Sequence, residues 1–149
     1  MEQESHALLD AINRAIVQFR GNYSRWAAVH GISYNELLVL YTLREQGYCT
    51  QKQICDRYLL PRQTINHVIG VLHAGGLLTR RPGPGREKAY VLTDAGLDYA
   101  RPFWDSLEVG EAAALRRLGS DKLRTLAALL QEYDRALQES LEHREGKQP

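Results

Sequence analysis

The residues best equipped to recognise a ligand lie together in RQTINHVIGVLHAGG, residues 62–76. Ile65, Val68 and Leu72 recur at i, i+3 and i+7 with Ile69 beside them, which defines one apolar stripe of a helix. The opposite face presents Arg62, Gln63, Asn66, His67, Gly70 and His73. A solvated helix face usually mixes Glu with Lys, and this one carries no acid. Arg, Gln and Asn, with Thr64 in the same turn, are donors suited to phosphate oxygens and base edges. Gln51, at the start of the preceding helix, and Arg86 and Lys88, just beyond a Pro-Gly-Pro-Gly turn, extend the same donor chemistry. The set points to double-stranded DNA rather than to a mere solvated surface.

Other reactive residue types show no comparable pattern. The five histidines (His6, His30, His67, His73, His143) lack metal-ligand spacing, so neither a metal nor a cofactor is expected. No GxSxG, HExxH, P-loop or GxGxxG occurs, and no catalytic residues or enzyme activity are expected. Cys49 and Cys55 form no CxxC and no disulfide framework. Cys55 reads as a small half-buried apolar residue and Cys49 as a thiol just before a helix, with redox sensing expected of neither. Tyr23, Trp26, His30 and Tyr34 surround the junction of the first two helices, where aromatics usually serve core or dimer packing.

The net charge of +1 conceals a partition. Arg44, Lys52, Arg57, Arg62, Arg80, Arg81, Arg86 and Lys88 face only Glu45, Asp56 and Glu87 in the span 44–88, a net +5. The flanks hold 11 bases and 15 acids, a net −4. A basic middle between acidic flanks favours a polyanion for the middle alone. At 149 residues one domain is expected. MEQESHALLD lacks the basic n-region of a signal peptide, and no apolar run approaches the ~18 residues of a membrane span. A reducing cytoplasm and no membrane partner are therefore expected.

These residues need elements to hold them. Apolar steps of three or four from Leu8 to Trp26 predict a long helix over residues 3–30. Ser33 with Glu36 and Thr50 with Gln53 read as two capping boxes, opening helices to about Gln46 and Tyr58. Pro61 is expected at the first position of the next helix, which Gly75 and Gly76 end. Leu77–Arg81 and Lys88–Leu92 then read as strands around a turn, a hairpin. Thr93 caps a further helix, which Pro102 is expected to kink or break, and Gly119-Ser120 turns into a last one. The tail 142–149 is polar and expected to be flexible. Three helices followed by a hairpin make a winged helix-turn-helix: mostly α with a small β wing.

Four stretches, ISYNELLVLYTL, TQKQICDRYLL, QTINHVIGVLHAGGLLTRR and REKAYVLTDAG, resemble in order and spacing the MarR (multiple-antibiotic-resistance-regulator) family of bacterial transcription factors. The resemblance covers nearly the whole chain. It implies a module over residues 33–92 between dimerisation helices over 3–30 and 93–141. It further implies a homodimer with two modules in successive major grooves, usually a repressor, often with a small effector. An aromatic or anionic effector near Tyr23, Trp26, His30 and Tyr34 is implied on that ground alone. The sequence departs from the family at the wing tip, where Pro84-Gly85-Arg86 stands for Asp-x-Arg, and at His67, where an Arg is common. The peroxide-sensing branch's cysteine is missing, since the first 48 residues contain none.

The apolar stripes Leu8, Ile12, Ile16, Phe19 and Leu123, Leu126, Leu130, Leu137 exceed what one module can cover, which also argues for a twin. A palindromic site read at two points about 34–36 Å apart would follow. The rival reading is a winged helix that binds only protein, which needs neither a donor-rich helix face nor an Arg in its wing.

Overall fold

The computed structural model describes residues 2–145. The chain divides into two compact units, residues up to 104 and residues from 105. The first unit opens with α1 (Glu2–Val29) and α2 (Tyr34–Gln46). Ser33 caps α2, its hydroxyl accepting from Glu36 N–H at 3.0 Å. Only this half of the expected capping box forms, because the Glu36 carboxylate accepts from Tyr99 Oη at 2.5 Å instead. Leu37, Val39, Leu40 and Leu43 of α2 are buried and make it the floor of the core.

A strand that the sequence did not disclose follows: β1 (Cys49–Thr50). Thr50 then caps α3 (Gln51–Tyr58) with both halves of its box in place. Leu59, Leu60 and Pro61 connect α3 to α4 (Arg62–Ala74). Pro61 is the N-cap of α4 at φ −61 and ψ 138, one position earlier than expected. Its extended ψ keeps it outside the helix while its carbonyl accepts from Thr64 and Ile65 N–H. Gly76 at φ +74 ends α4 with Leu77 N–H donating to Leu72 O and Gly76 N–H to His73 O, the Schellman pattern. Ile54 of α3 and Ile65, Ile69 and Leu72 of α4 are buried, so the apolar stripes face inward as their spacing requires.

The wing is β2 (Leu78–Pro82) and β3 (Lys88–Leu92) in an antiparallel hairpin, Leu78 opposite Leu92 and Pro82 opposite Lys88. β1 joins its other edge, Cys49 opposite Tyr90, so the hairpin is the larger part of a three-stranded sheet ordered β1-β3-β2. Thr93 accepts from Gly96 N–H and donates to Gly76 O, starting α5 (Asp94–Leu118). Pro102 does not break α5. Pro102 and Asp98, whose carbonyl loses its helical donor, are both exposed, so the missing bond falls on the solvent side of the helix rather than in the core. Tyr99 on Glu36, and Trp104 donating to Leu40 O at 3.2 Å, tie the helix to α2 on both sides of the proline.

α5 runs through the boundary between the units. In the second unit Gly119, at φ +88, turns the chain into α6 (Ser120–Glu145). Residues 142–145, expected as the start of a flexible tail, continue α6, and residues 146–149 lie outside the described residues. No described helix is long and apolar enough to cross a membrane.

Candidate nucleic-acid interface

The donor-rich face is built by α4. With Ile65, Ile69 and Leu72 buried, the 3.6-residue period turns Arg62, Gln63, Asn66 and His67 outward, and all four are exposed. Thr64 is half-buried at the edge of the stripe. Arg62 and Asn66, and Gln63 and His67, are i, i+4 pairs, so two rows of donors run along the first two turns.

Beside that face lies a shallow cleft of about 270 Å³ between the first turns of α3 and α4 and the wing. Gln51, Arg62, Arg86 and Lys88 line it together, although the last two enter from a different element. Lys52, Thr50, Tyr90 and Glu87 complete the lining and were missed by sequence reasoning. The Thr50–Gln53 cap could have signalled Lys52, since it fixes Lys52 on the first turn of α3 beside Gln51. Lys52 donates to Asp56 at 2.5 Å, an exposed i, i+4 pair. That hydrogen bond, and then the Asp56 charge, raise the Lys52 pKa and keep the ammonium charged.

The wing turn is closed by Gly83 N–H on Glu87 O at 2.9 Å and Glu87 N–H on Pro84 O at 3.1 Å, with Gly85 at φ +61. Arg86 and Lys88 are exposed on either side of half-buried Glu87. On β2, Arg80 stands 6.0 Å from the Tyr90 ring centroid and Arg81 5.2 Å from that of Tyr48, so aromatic faces hold both guanidiniums.

The four aromatic and imidazole residues proposed for an effector divide into separate contacts. His30 stacks on Trp26 with centroids 4.0 Å apart, and its Nδ1 lies 2.8 Å from Trp26 O. Trp26 also meets the edge of Phe103 at 6.5 Å. Tyr23 packs edge-on against Phe19, while the Arg20 guanidinium lies over Tyr34. Both cysteines are free thiols. Burial pushes the Cys49 thiol up to about 12, so the thiolate that a redox sensor needs is suppressed. Cys55, half-buried, is raised in the same direction, first by burial. Among the described residues no cluster of three or more His, Cys, Asp or Glu could hold a metal ion.

Residues 30–89, from the end of α1 through the wing to β3, match the family model described as MarR family. The fold agrees with a MarR family regulator from Neisseria meningitidis at TM-score 0.84 and 27% identity, over 92% of this chain and 98% of that one. Over residues 30–89 in sequence, and over most of its length in fold, the chain is similar to MarR family regulators. No curated protein matches it. The chain also shares its fold with a Bordetella bronchiseptica protein whose DNA binding is regulated by 6-hydroxynicotinic acid. That similarity has TM-score 0.63 and 20% identity over 84% of this chain and 91% of that one. A Mycobacterium tuberculosis MarR family protein in complex with p-aminosalicylic acid agrees at TM-score 0.61 and 20% identity, over 85% and 98% of the two chains. The similarity gives the chain a winged-helix fold, with α4 as the second helix of the helix-turn-helix and β2–β3 as the wing.

Proposed function

We propose that this chain is a DNA-binding homodimer without enzyme activity, a repressor that binds a palindromic operator in the cytoplasm and is released by a small aromatic or anionic effector. The observation that carries the reading is the convergence of Gln51, Arg62, Arg86 and Lys88 on one cleft beside the acid-free face of α4. α4 enters the major groove with Gln63, Thr64 and His67 toward base edges and Arg62 and Asn66 toward phosphate or base. The wing carries Arg86 to the adjacent minor groove, where the phosphate potential is concentrated over A·T tracts. Lys88 and Gln51 hold the backbone between the two grooves.

Dimerisation is supported by apolar side chains left in water along α1 and α6, among them Leu8, Phe19, Leu126 and Leu137. An effector is supported by the two similar proteins whose names carry 6-hydroxynicotinic and p-aminosalicylic acids. Both are small aromatic acids of a size to compete for a stacked pair such as Trp26–His30.

Selection of bound duplexes from a random pool, followed by titration at two salt concentrations, tests the reading. A palindrome recovered from the pool, with binding that weakens steeply with salt, is the expected result. Enrichment of no sequence, or binding that ignores salt, would leave the chain a protein-binding winged helix.

A further inference from the structure

The basic cleft holds one side chain of the opposite sign. Glu87 lines it together with Lys52, Arg62, Arg86 and Lys88. The same residue lines an adjoining cleft of about 280 Å³ beside Lys52 and Asp56. The wing turn fixes its position, since the Glu87 backbone makes both hydrogen bonds that close the turn. Its two neighbours in sequence are exposed cations, while Glu87 itself is half-buried toward the cleft. Lys52 therefore sits between two carboxylates: Asp56, which it bonds at 2.5 Å, and Glu87 across the cleft. Of the other acids in the basic span, Glu45 accepts from Arg57 at 2.6 Å, so it too is matched to a cation.

We propose that Glu87 is an affinity-limiting residue of the DNA interface, a carboxylate held where the phosphodiester backbone crosses from the α4 groove to the wing groove. The proposal rests on the DNA-binding reading above. A duplex engaged by α4 and by Arg86 at once must pass its backbone over the cleft between them. The four cations attract that backbone and Glu87 opposes them from within the same cleft. The opposition carries no sequence information, because phosphates are the same at every site. Glu87 therefore loosens operator and bulk DNA alike and shortens the time spent on the wrong sequence.

The test is Glu87→Gln, which keeps shape and backbone hydrogen bonds and removes only the charge. Wild type, Glu87→Gln and the net-charge control Glu139→Gln on α6 are titrated on the selected operator and on a random duplex of equal length, across a salt series. Removing a unit charge about 7 Å from a phosphate near the solvent boundary should tighten binding about three- to tenfold per chain. The tightening should be the same for both duplexes. The dependence of log K on log salt should steepen by about 0.9 per chain as one more cation engages fully. The control should move affinity much less. Unchanged affinity would mean the carboxylate does not meet phosphate. Weaker binding would make it an orienting partner of Lys52 or Arg86, and a change on the operator alone would make it a base reader. Each of these overturns the proposal while leaving DNA binding intact. Failure of wild type to bind either duplex at low salt overturns the DNA-binding reading, and this inference with it.

Discussion

Leu59, in the turn that sets α4 against α3, offers a sharp test of the backbone geometry. It is the C-cap of α3 at φ 52 and ψ 46, the left-handed region, and it is 89% exposed. An L-residue with a Cβ pays about 1–2 kcal/mol for that conformation. With so little of the residue buried, truncating its side chain forfeits at most about 0.3 kcal/mol of apolar burial. Glycine removes the Cβ conflict but frees the unfolded chain, which costs about 0.4–1 kcal/mol. Asparagine tolerates the left-handed region while keeping a side chain that restrains the unfolded state. Leu59→Asn should therefore stabilise by about 0.5–1 kcal/mol, and Leu59→Gly by less, against the strain range above. For a chain of this length that is a rise of about 1–4 °C in Tm. Denaturant and thermal unfolding at one fixed protein concentration would measure it, because association couples stability to concentration. Leu59→Ala is the control: it keeps the Cβ and should gain nothing. If alanine gains as much as asparagine, the strain argument is wrong. If all three variants destabilise, the side chain packs against something outside this chain.

Two glycines should respond to alanine with opposite signs. At Gly70, on the exposed face of α4, an added Cβ meets nothing within 4 Å, so Gly70→Ala should stabilise by about 0.8–1 kcal/mol in unfolding experiments. At Gly96 the same atom would fall 2.0 Å from Leu77 O, so Gly96→Ala should cost about 3 kcal/mol or more and disturb the wing's junction with α5. Thiol labelling under native conditions should modify half-buried Cys55 well before fully buried Cys49, and equal rates would contradict the burial of β1. Tyr99 is held above the ordinary tyrosine value of 10, first by burial and then by its bond to Glu36. The folded state thus keeps a proton that the unfolded chain releases, and stability should fall as pH climbs past about 10. Tyr99→Phe should flatten that alkaline slope, and an unchanged slope would show that other groups, Cys49 among them, set it.

Every feature legible in the sequence is decided within three or four residues. The Ile65-Val68-Ile69-Leu72 stripe, the Thr50–Gln53 cap, the Gly75-Gly76 stop and the turn between Arg81 and Lys88 are local bargains between backbone and side chain. They were enough to lay out a winged helix and to turn Arg62, Gln63, Asn66 and His67 outward, because a buried stripe determines its opposite face.

What failed locally was decided by partners far along the chain. β1 is only two residues long, too short for any periodicity, and exists because Tyr90 and Ala89 offer it an edge. Glu36 leaves its capping box for Tyr99, 63 residues away. Pro102 remains inside α5 because its face meets water and its flanks are tied to α2. The cleft itself belongs to this second class. Gln51 and Arg62 were placed by helix signals and Arg86 and Lys88 by a turn, but their meeting, and the presence of Glu87 among them, depends on how the sheet seats the wing beside α3. Local propensity acts through bonded neighbours, whereas a cleft needs chain segments distant in sequence to be closed onto one another, and only tertiary packing can do that.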